Sequence, residues 1–436
     1  MTFPASCAGV SDQKHRLADS PCAGGRLASV KVGRRRNDRR GGRVALHIPR
    51  RVTVVYGTRP EAIKCAPLVL GLLEDPNFEV RVVLTGQHGE VLDQVNQVFG
   101  IVPDHDLKIH RPGQTLVDVA VRTLQGVSED LVDVRPDAVV VQGDTSSALA
   151  AGLAAFYARV PVVHLEAGLR TGDLAAPFPE EGNRALLTQV AALHLAPTSG
   201  NRDNLLRAGV EPERIVVTGN SVIDALHLVI AANRPWCDPR LRDLAALDRP
   251  LVLVTAHRRE SWGAAMESIA RAVATIATDH RDHDIVLPLH PNPQVAAVLR
   301  RHLEDALNVH LIEPATYGDF CQLLQRARLV LTDSGGVQEE GPALGKPVLV
   351  MRSSTERPEA LQYGTVRLVG VDEARIVSQV SRLLGDEAAR DAMGRAVNPY
   401  GDGRAVARSV AALRHWFNLG PRPEDFSPLL PAGRAS

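Results

Sequence analysis

The chain has 436 residues, 44% of them hydrophobic and 23% charged, with 50 Lys+Arg balanced by 50 Asp+Glu. That composition excludes wholesale disorder, and the length allows two or three domains with full-sized cores. The zero net charge is a sum of unlike parts: residues 1–51 hold 12 basic and 3 acidic side chains, net +9, whereas residues 52–436 hold 38 and 47, net −9.

The head of the chain, 1–50, is rich in Arg, Gly and Ser and is expected to be a disordered leader. Its basic cluster at 34–43 has the look of a nucleic-acid arm, but an acidic body with 4% aromatics does not support that reading, so no nucleic-acid partner is expected. Pro4, Ser6, Asp12 and Lys14 interrupt the apolar stretch that a secretory signal needs. The nearest apolar run, 148–158, falls well short of the roughly 18 residues of a membrane span. A cytoplasmic protein without a membrane partner is therefore expected. Cys7, Cys22, Cys65, Cys237 and Cys321 are scattered and form no C-x-x-C pair, which indicates neither a disulfide framework nor a zinc site.

From residue 51 onward, short β-branched runs alternate with longer helical stretches, the signature of parallel βαβ units. Strands are predicted at 52–56, 79–85, 138–141, 160–165, 194–196 and 215–218, with helices at 61–73, 91–99, 116–134 and 147–157 between them. An irregular segment at 231–249 separates this first Rossmann-like unit, 51–230, from a second, 231–397. The second has strands predicted at 251–255, 285–289, 309–312, 329–332, 347–350 and 365–368. Two doubly wound units in tandem place a ligand where the carboxyl ends of both sheets face one cleft. The tail, 420–436, carries four prolines and little periodicity and is expected to be disordered.

The chemistry-bearing runs fall at those strand ends. GTRPEAIK at 57–64 is a turn entering a helix with proline at its first position. The free amides of such a helix start, with Arg59 and Lys64 beside them, make a phosphate seat. The run is neither a P-loop nor a G-x-G-x-x-G fingerprint, which removes support for ATP hydrolysis and for tightly held NAD. QGDT at 142–145 and EAGLRTG at 166–172 put Asp144 and Glu166 at adjacent strand ends. Close carboxylates repel and their pKa values move apart, which suits one as acid and the other as base. PEEGNR at 179–184 adds Glu180 to the same rim.

In the second unit, AHRRE at 256–260 sets His257 and two arginines opposite these acids. DSGGVQEE at 333–340 offers Ser334, Gly335 and Gly336 for close backbone approach, with Glu340 one turn later as an acceptor for ribose hydroxyls. RSSTERPE at 352–359 contributes Arg352 and Arg357. Cations on both walls with carboxylates between them fit a diphosphate carrying a sugar. An acidic body can hold such an anion because the local field of the cleft outweighs the net charge.

Together with HLEAGLRTGD at 164–173, AHRRES at 256–261, STERPEAL at 354–361 and NPYGDG at 398–403, these runs occur in the order and spacing of a known family. The chain resembles the non-hydrolysing UDP-N-acetylglucosamine 2-epimerases of bacteria over residues 51–419. The resemblance implies a GT-B-like α/β fold of two Rossmann-like doubly wound domains with a cleft between them. It also implies a C-terminal helix at 398–419 packing back on the first domain, and a homodimer. The implied reaction interconverts UDP-GlcNAc and UDP-ManNAc at carbon 2 with no cofactor and no metal. Asp144, Glu166, Glu180 and His257 would form the catalytic set. Arg59, Lys64, Ser334, Gly335, Gly336, Glu340 and Arg357 would hold the UDP, with Phe320 near the uracil. Gln87 and His88 mark the region where several bacterial members bind a second, activating UDP-GlcNAc, and Gly89 stands here where the family usually has a basic residue. Three alternatives stay open: a hydrolysing epimerase releasing ManNAc and UDP, a GT-B glycosyltransferase, and a catalytically silent sugar-nucleotide sensor.

Overall fold

A computed structural model of the chain describes residues 48–258, 261–289 and 292–428; the leader up to 47 and the tail from 429 lie outside the described residues. The first half runs β1 (Arg50–Tyr56), α1 (Arg59–Glu74), β2 (Phe78–Leu84), α2 (Glu90–Phe99), β3 (His105–Asp106), α3 (Leu116–Val134), β4 (Ala138–Gln142), α4 (Ser146–Tyr157), β5 (Val162–Leu165), α5 (Glu180–Val190), β6 (Ala191–Ala196), α6 (Ser199–Arg207), β7 (Ile215–Val217) and α7 (Ser221–Ala231). The second half runs α8 (Pro239–Ala246), β8 (Leu251–Thr255), α9 (Ala264–Asp279), β9 (Asp284–Pro288), α10 (Pro293–Leu303), β10 (Val309–Ile312), α11 (Tyr317–Arg326), β11 (Ala327–Thr332), α12 (Val337–Ala343), β12 (Val348–Val350), α13 (Pro358–Gln362), β13 (Val366–Leu368), α14 (Glu373–Gly385), α15 (Glu387–Gly394) and α16 (Ala405–Trp416).

The central strands are apolar on both faces, as a parallel sheet covered by helices requires. In β4 all five residues of AVVVQ are buried, and in β8 all five of LVLVT. Seven strands pair in the order β3-β2-β1-β4-β5-β6-β7 and six in the order β10-β9-β8-β11-β12-β13. Every pairing is parallel. Both sheets reverse their strand order once, at β1/β4 and at β8/β11. Such a reversal splays two loops apart and leaves a crevice at the carboxyl end of the sheet. The four strands at the two reversals run into GTRP, QGDT, AHRR and DSGG, so the topology by itself gathers those motifs.

Strand and helix positions match the sequence expectations closely, with three exceptions, one of them α8, which lies within the segment 231–249 expected to be irregular. The two-residue β3 carries no apolar alternation for periodicity to detect. The first strand starts at Arg50, inside the expected leader.

The chain returns to its first half at the end. The Asp224 carboxylate on α7 accepts the amides of Ala405 and Val406, capping α16, and Arg414 on α16 reaches Asp75 at 2.5 Å. α1 admits α16 because Gly71 has no side chain there: a Cβ would sit 2.6 Å from Val406. The tail corrects an expectation. Residues expected to be disordered run along the sheet edge, where Phe426 donates its amide to the Val217 carbonyl at 2.7 Å and the Asp425 carboxylate accepts the Val217 amide at 3.0 Å. β7 has unpaired backbone on its outer side, and the tail satisfies part of it. No helix among the described residues is long and apolar enough to cross a membrane.

Candidate active site

Residues from both halves line one cleft of about 1930 Å³. That exceeds the roughly 300–1,000 Å³ of a pocket for a compact ligand. Arg59, Lys64, Asp144, Glu166, Glu180, His257, Phe320, Ser334, Gly335, Gly336, Glu340 and Arg357 all border it. Gln87 and His88 do not. They sit behind Arg59, whose amide donates to His88 Nδ1 at 3.3 Å, while Gln87 accepts the Ser147 hydroxyl at 2.8 Å. Burial, helped by nearby His110, lowers the His88 pKa and favours the neutral ring that this acceptor role requires. Next to them Gly89 adopts φ 52° and ψ −130°, a conformation that side-chain-bearing residues rarely take.

The GTRP turn does not present the free amides expected of it. The Glu61 carboxylate accepts the amides of both Gly57 (2.8 Å) and Thr58 (2.7 Å). A helix start whose own third residue supplies the anion has no seat left for a phosphate. What this motif offers the cleft is its side chains, Arg59 and Lys64. Across the cleft the amides of Gly335 and Gly336 have no acceptor among the described residues. Gly335 also leaves room for a guanidinium, since a Cβ there would lie 2.7 Å from Arg357 Nη1.

Glu166 stands at the centre. Its backbone is left-handed, φ 64°, a region that is sparse for side-chain-bearing residues and recurrent at functional sites. Lys64 contacts one carboxylate oxygen at 2.5 Å and Asn220 donates to the same oxygen at 2.9 Å, while Gln142 donates to the other. Asn220 also donates to Glu339 at 2.7 Å, and Glu339 accepts Arg357 Nε at 2.5 Å. Arg357 continues to Glu356 at 2.8 Å, which Arg258 and Arg352 also contact, at 3.1 and 2.8 Å. Four residues of this chain of contacts, Gln142, Asn220, Glu339 and Glu356, were not among the candidates. The strand-end position of Asn220 in TGNSVID and the doubled acid in DSGGVQEE were the only signals for the pair that joins the two halves.

The carboxylates are driven in opposite directions. Burial pushes the Asp144 carboxyl up to about 6, and Arg184, 3.0 Å away, offsets only part of that. Burial is the largest single influence on Glu166 too, but Lys64, Arg357 and the Asn220 amide together outweigh it and hold Glu166 below its ordinary value. Glu340 is pushed up to about 7 by burial, although the Tyr317 hydroxyl donates to it at 3.1 Å. Glu356 is likewise penalised by burial, yet its three arginines pull it down to about 2. Glu180, at the start of α5, has no side-chain hydrogen bond or ion pair among the described residues and faces the cleft untied. His257 projects from the end of β8 with Nδ1 3.1 Å from the buried Asp333 carboxylate.

Removing one partner from a buried pair strands the other charge. Lys64→Met is therefore expected to lower the unfolding free energy by about 3–5 kcal/mol, with Lys64→Met/Glu166→Gln recovering most of the loss in urea denaturation. An equal loss in the single and double variants would show that the pair is not what is at stake.

The described geometry agrees with what the chain is similar to. Residues 71–414 match the family model for UDP-N-acetylglucosamine 2-epimerase. The chain is 53% identical over 378 residues to the UDP-N-acetylglucosamine 2-epimerase of Escherichia coli K12, covering 84% of this chain and 98% of that one. It is 52% identical over 373 residues to the enzyme of Salmonella typhimurium LT2, covering 84% and 99%. Among solved structures, the Neisseria meningitidis UDP-GlcNAc 2-epimerase bound to UDP-GlcNAc superposes with a TM-score of 0.78 at 40% identity, covering 84% of this chain and all of that one. The Methanocaldococcus jannaschii enzyme in complex with UDP-GlcNAc and UDP gives 0.71 at 31%, covering 84% and 99%. With two switch-point sheets facing one carboxylate-lined cleft and this degree of identity along nearly the whole length of its relatives, the chain belongs to the UDP-N-acetylglucosamine 2-epimerase family.

Proposed function

We propose that the cleft takes UDP-GlcNAc and inverts carbon 2 by removing and re-adding UDP. The observation that carries this reading is the separation of Asp144 from Glu166: one carboxyl raised to about 6, its neighbour held ionised by Lys64. Divergent pKa values in a shared site mark different roles in proton transfer. Carbon 2 has no neighbouring carbonyl, so its proton is too weakly acidic for direct removal. As the anomeric bond breaks, positive charge builds at carbon 1 and acidifies that proton, and a general base completes elimination to a glycal. UDP stays in the cleft, and its return with protonation of carbon 2 from the opposite face gives UDP-ManNAc.

In this reading Asp144 accepts the proton from UDP-GlcNAc and Glu180, untied on the same wall, delivers one to the other face. Glu166 remains ionised and stabilises the charge at carbon 1. Arg59, His257, Arg357 and the amides of Gly335 and Gly336 meet the leaving diphosphate, where pre-aimed donors lower the barrier most. Glu340 faces the ribose and Phe320 the uracil. Lys64 acts on the diphosphate only through the charge it shares with Glu166. The substrate, a nucleotide sugar, goes with a cytoplasmic enzyme.

A homodimer is part of the proposal. α3, α4 and α5 pack side by side and leave Val117, Tyr157 and Leu186 exposed at 69%, 68% and 56%, with Phe156 beside Tyr157. An apolar face of this kind suits a second copy of the chain.

Incubation with UDP-GlcNAc in deuterated water is expected to give deuterium at carbon 2 and a mixture of two UDP sugars. Asp144→Asn is expected to abolish the exchange while UDP affinity changes by less than about tenfold. Release of free sugar would favour hydrolysis, and an absence of exchange in the wild type would sink the reading. Because a carboxyl raised to about 6 holds its proton in more acid solution, kcat/KM for UDP-GlcNAc is expected to fall about tenfold per pH unit below about pH 6; a flat profile down to pH 5 removes Asp144 as the base. Sedimentation equilibrium is expected to give twice the chain mass, and Tyr157→Glu/Leu186→Glu the monomer; a dimer unaffected by those changes places the interface elsewhere.

A further inference from the structure

Asp333 directly follows β11 and is fully buried, with no Lys or Arg partner among the described residues. A buried carboxylate without a cation is costly unless hydrogen bonds compensate it. One oxygen, Oδ2, accepts the amides of His257 (2.8 Å) and Arg258 (2.9 Å) and the Ser261 hydroxyl (3.2 Å). These three contacts fasten the loop after β8. The second oxygen, Oδ1, lies 3.1 Å from His257 Nδ1 in an ion-pair contact and has no hydrogen-bond partner among the described residues. The backbone of His257 is thus held, its Nδ1 edge lies beside a buried carboxylate oxygen that nothing else satisfies, and its half-exposed side chain borders the cleft.

We propose that Asp333 is a positioning residue for His257: it keeps the Nδ1 proton on the side of the buried carboxylate, so that Nε2 addresses the diphosphate as UDP departs. The proposal rests on the epimerase reading and on the assignment of His257 to the leaving group. The geometry favours it over a purely structural role because loop fastening occupies only Oδ2, whereas Oδ1 faces the ring and is left free of the loop donors. An imidazole with Nδ1–H fixed presents a lone pair at Nε2 when neutral and a second N–H when protonated. Protonated, it donates to a phosphate oxygen just where negative charge develops. The arginines near this ring are already engaged: Arg258 contacts Glu356 at 3.1 Å, and Arg357 contacts Glu339 and Glu356.

The test is a double-mutant cycle on carbon 2 exchange in the full chain. Asp333→Asn keeps an oxygen for the loop donors but removes the charge facing Nδ1. It is expected to lower kcat about 10²-fold with KM within about threefold. In a His257→Gln background the same change is expected to cost less than about threefold, because its effect passes through the ring. An equal loss in both backgrounds overturns the proposal and leaves the epimerase reading intact. Full activity of His257→Gln removes the assignment on which the proposal rests, and no exchange in the wild type removes the reading itself. Should Asp333→Asn not fold, the 15N resonances of the unsubstituted protein labelled at histidine decide, with His257 identified by its loss in His257→Gln. The proposal expects a protonated Nδ1, and an unprotonated Nδ1 overturns it.

Discussion

The cleft depends on keeping a carboxylate ionised where water is scarce. An isolated carboxylate at Glu166 would take up a proton before it tolerated that environment. It stays charged because Lys64 lies against it and two side-chain amides, Gln142 and Asn220, donate to it. Asn220 extends the same arrangement to Glu339 and through it to Arg357. The first half supplies Glu166 and the second supplies Arg357, so one charge requirement ties the two halves together in the cleft that both residues line.

This arrangement changes what the cations of the cleft are available to do. Lys64 and Arg357 are counted among the phosphate ligands when motifs alone are considered, yet both are partnered by the chain's own carboxylates in the described structure. Arg258 and Arg352 share Glu356 in the same way. A diphosphate entering the cleft joins an existing alternation of charge and does not meet an unpaired positive surface. Like charges separated by carboxylates repel one another less, which allows several guanidinium groups to stand within reach of one small anion. Asp144 is excluded from this balance: Arg184 contacts it from one side, burial dominates, and its carboxyl is left near 6. A group in that position can exchange a proton at ordinary pH, and one held as Glu166 is held cannot.

The end of the chain reinforces the junction. Tyr400 accepts the Asn220 amide at 2.7 Å through its carbonyl, and its hydroxyl reaches Ala360 and Glu359 at 3.2 and 3.3 Å. The NPYGDG run therefore bridges the residue that contacts both acids and the helix that follows Arg357. α16 then lies on α1, the helix that carries Arg59 and Lys64, and the last described residues close the exposed edge of β7. Catalytic side chains on loops acquire fixed positions when the backbone beneath them is held from several directions.

Much of this was legible in the sequence because it rests on local rules. Alternating β-branched and helical runs determine a doubly wound sheet, since a strand buried on both faces must be apolar throughout, and AVVVQ and LVLVT are nearly so. The motifs at 57–64, 142–145, 166–172 and 333–340 follow predicted strands, and the parallel topology delivers strand ends to one side. The sequence also determined that Asp144, Glu166, Glu180 and His257 share a cleft. It did not determine their states. Whether the amides after β1 are free depended on where the Glu61 carboxylate turns. Which of Glu166 and Asp144 stays ionised depended on Lys64, 102 residues away from Glu166 in the chain, pairing directly with Glu166 while it offsets the burial of Asp144 only in part. The partners Asn220 and Glu339, 119 residues apart, have no local signature. Secondary structure follows from neighbours along the chain, whereas the charge state of a buried group follows from neighbours in space, and only the tertiary structure sets those.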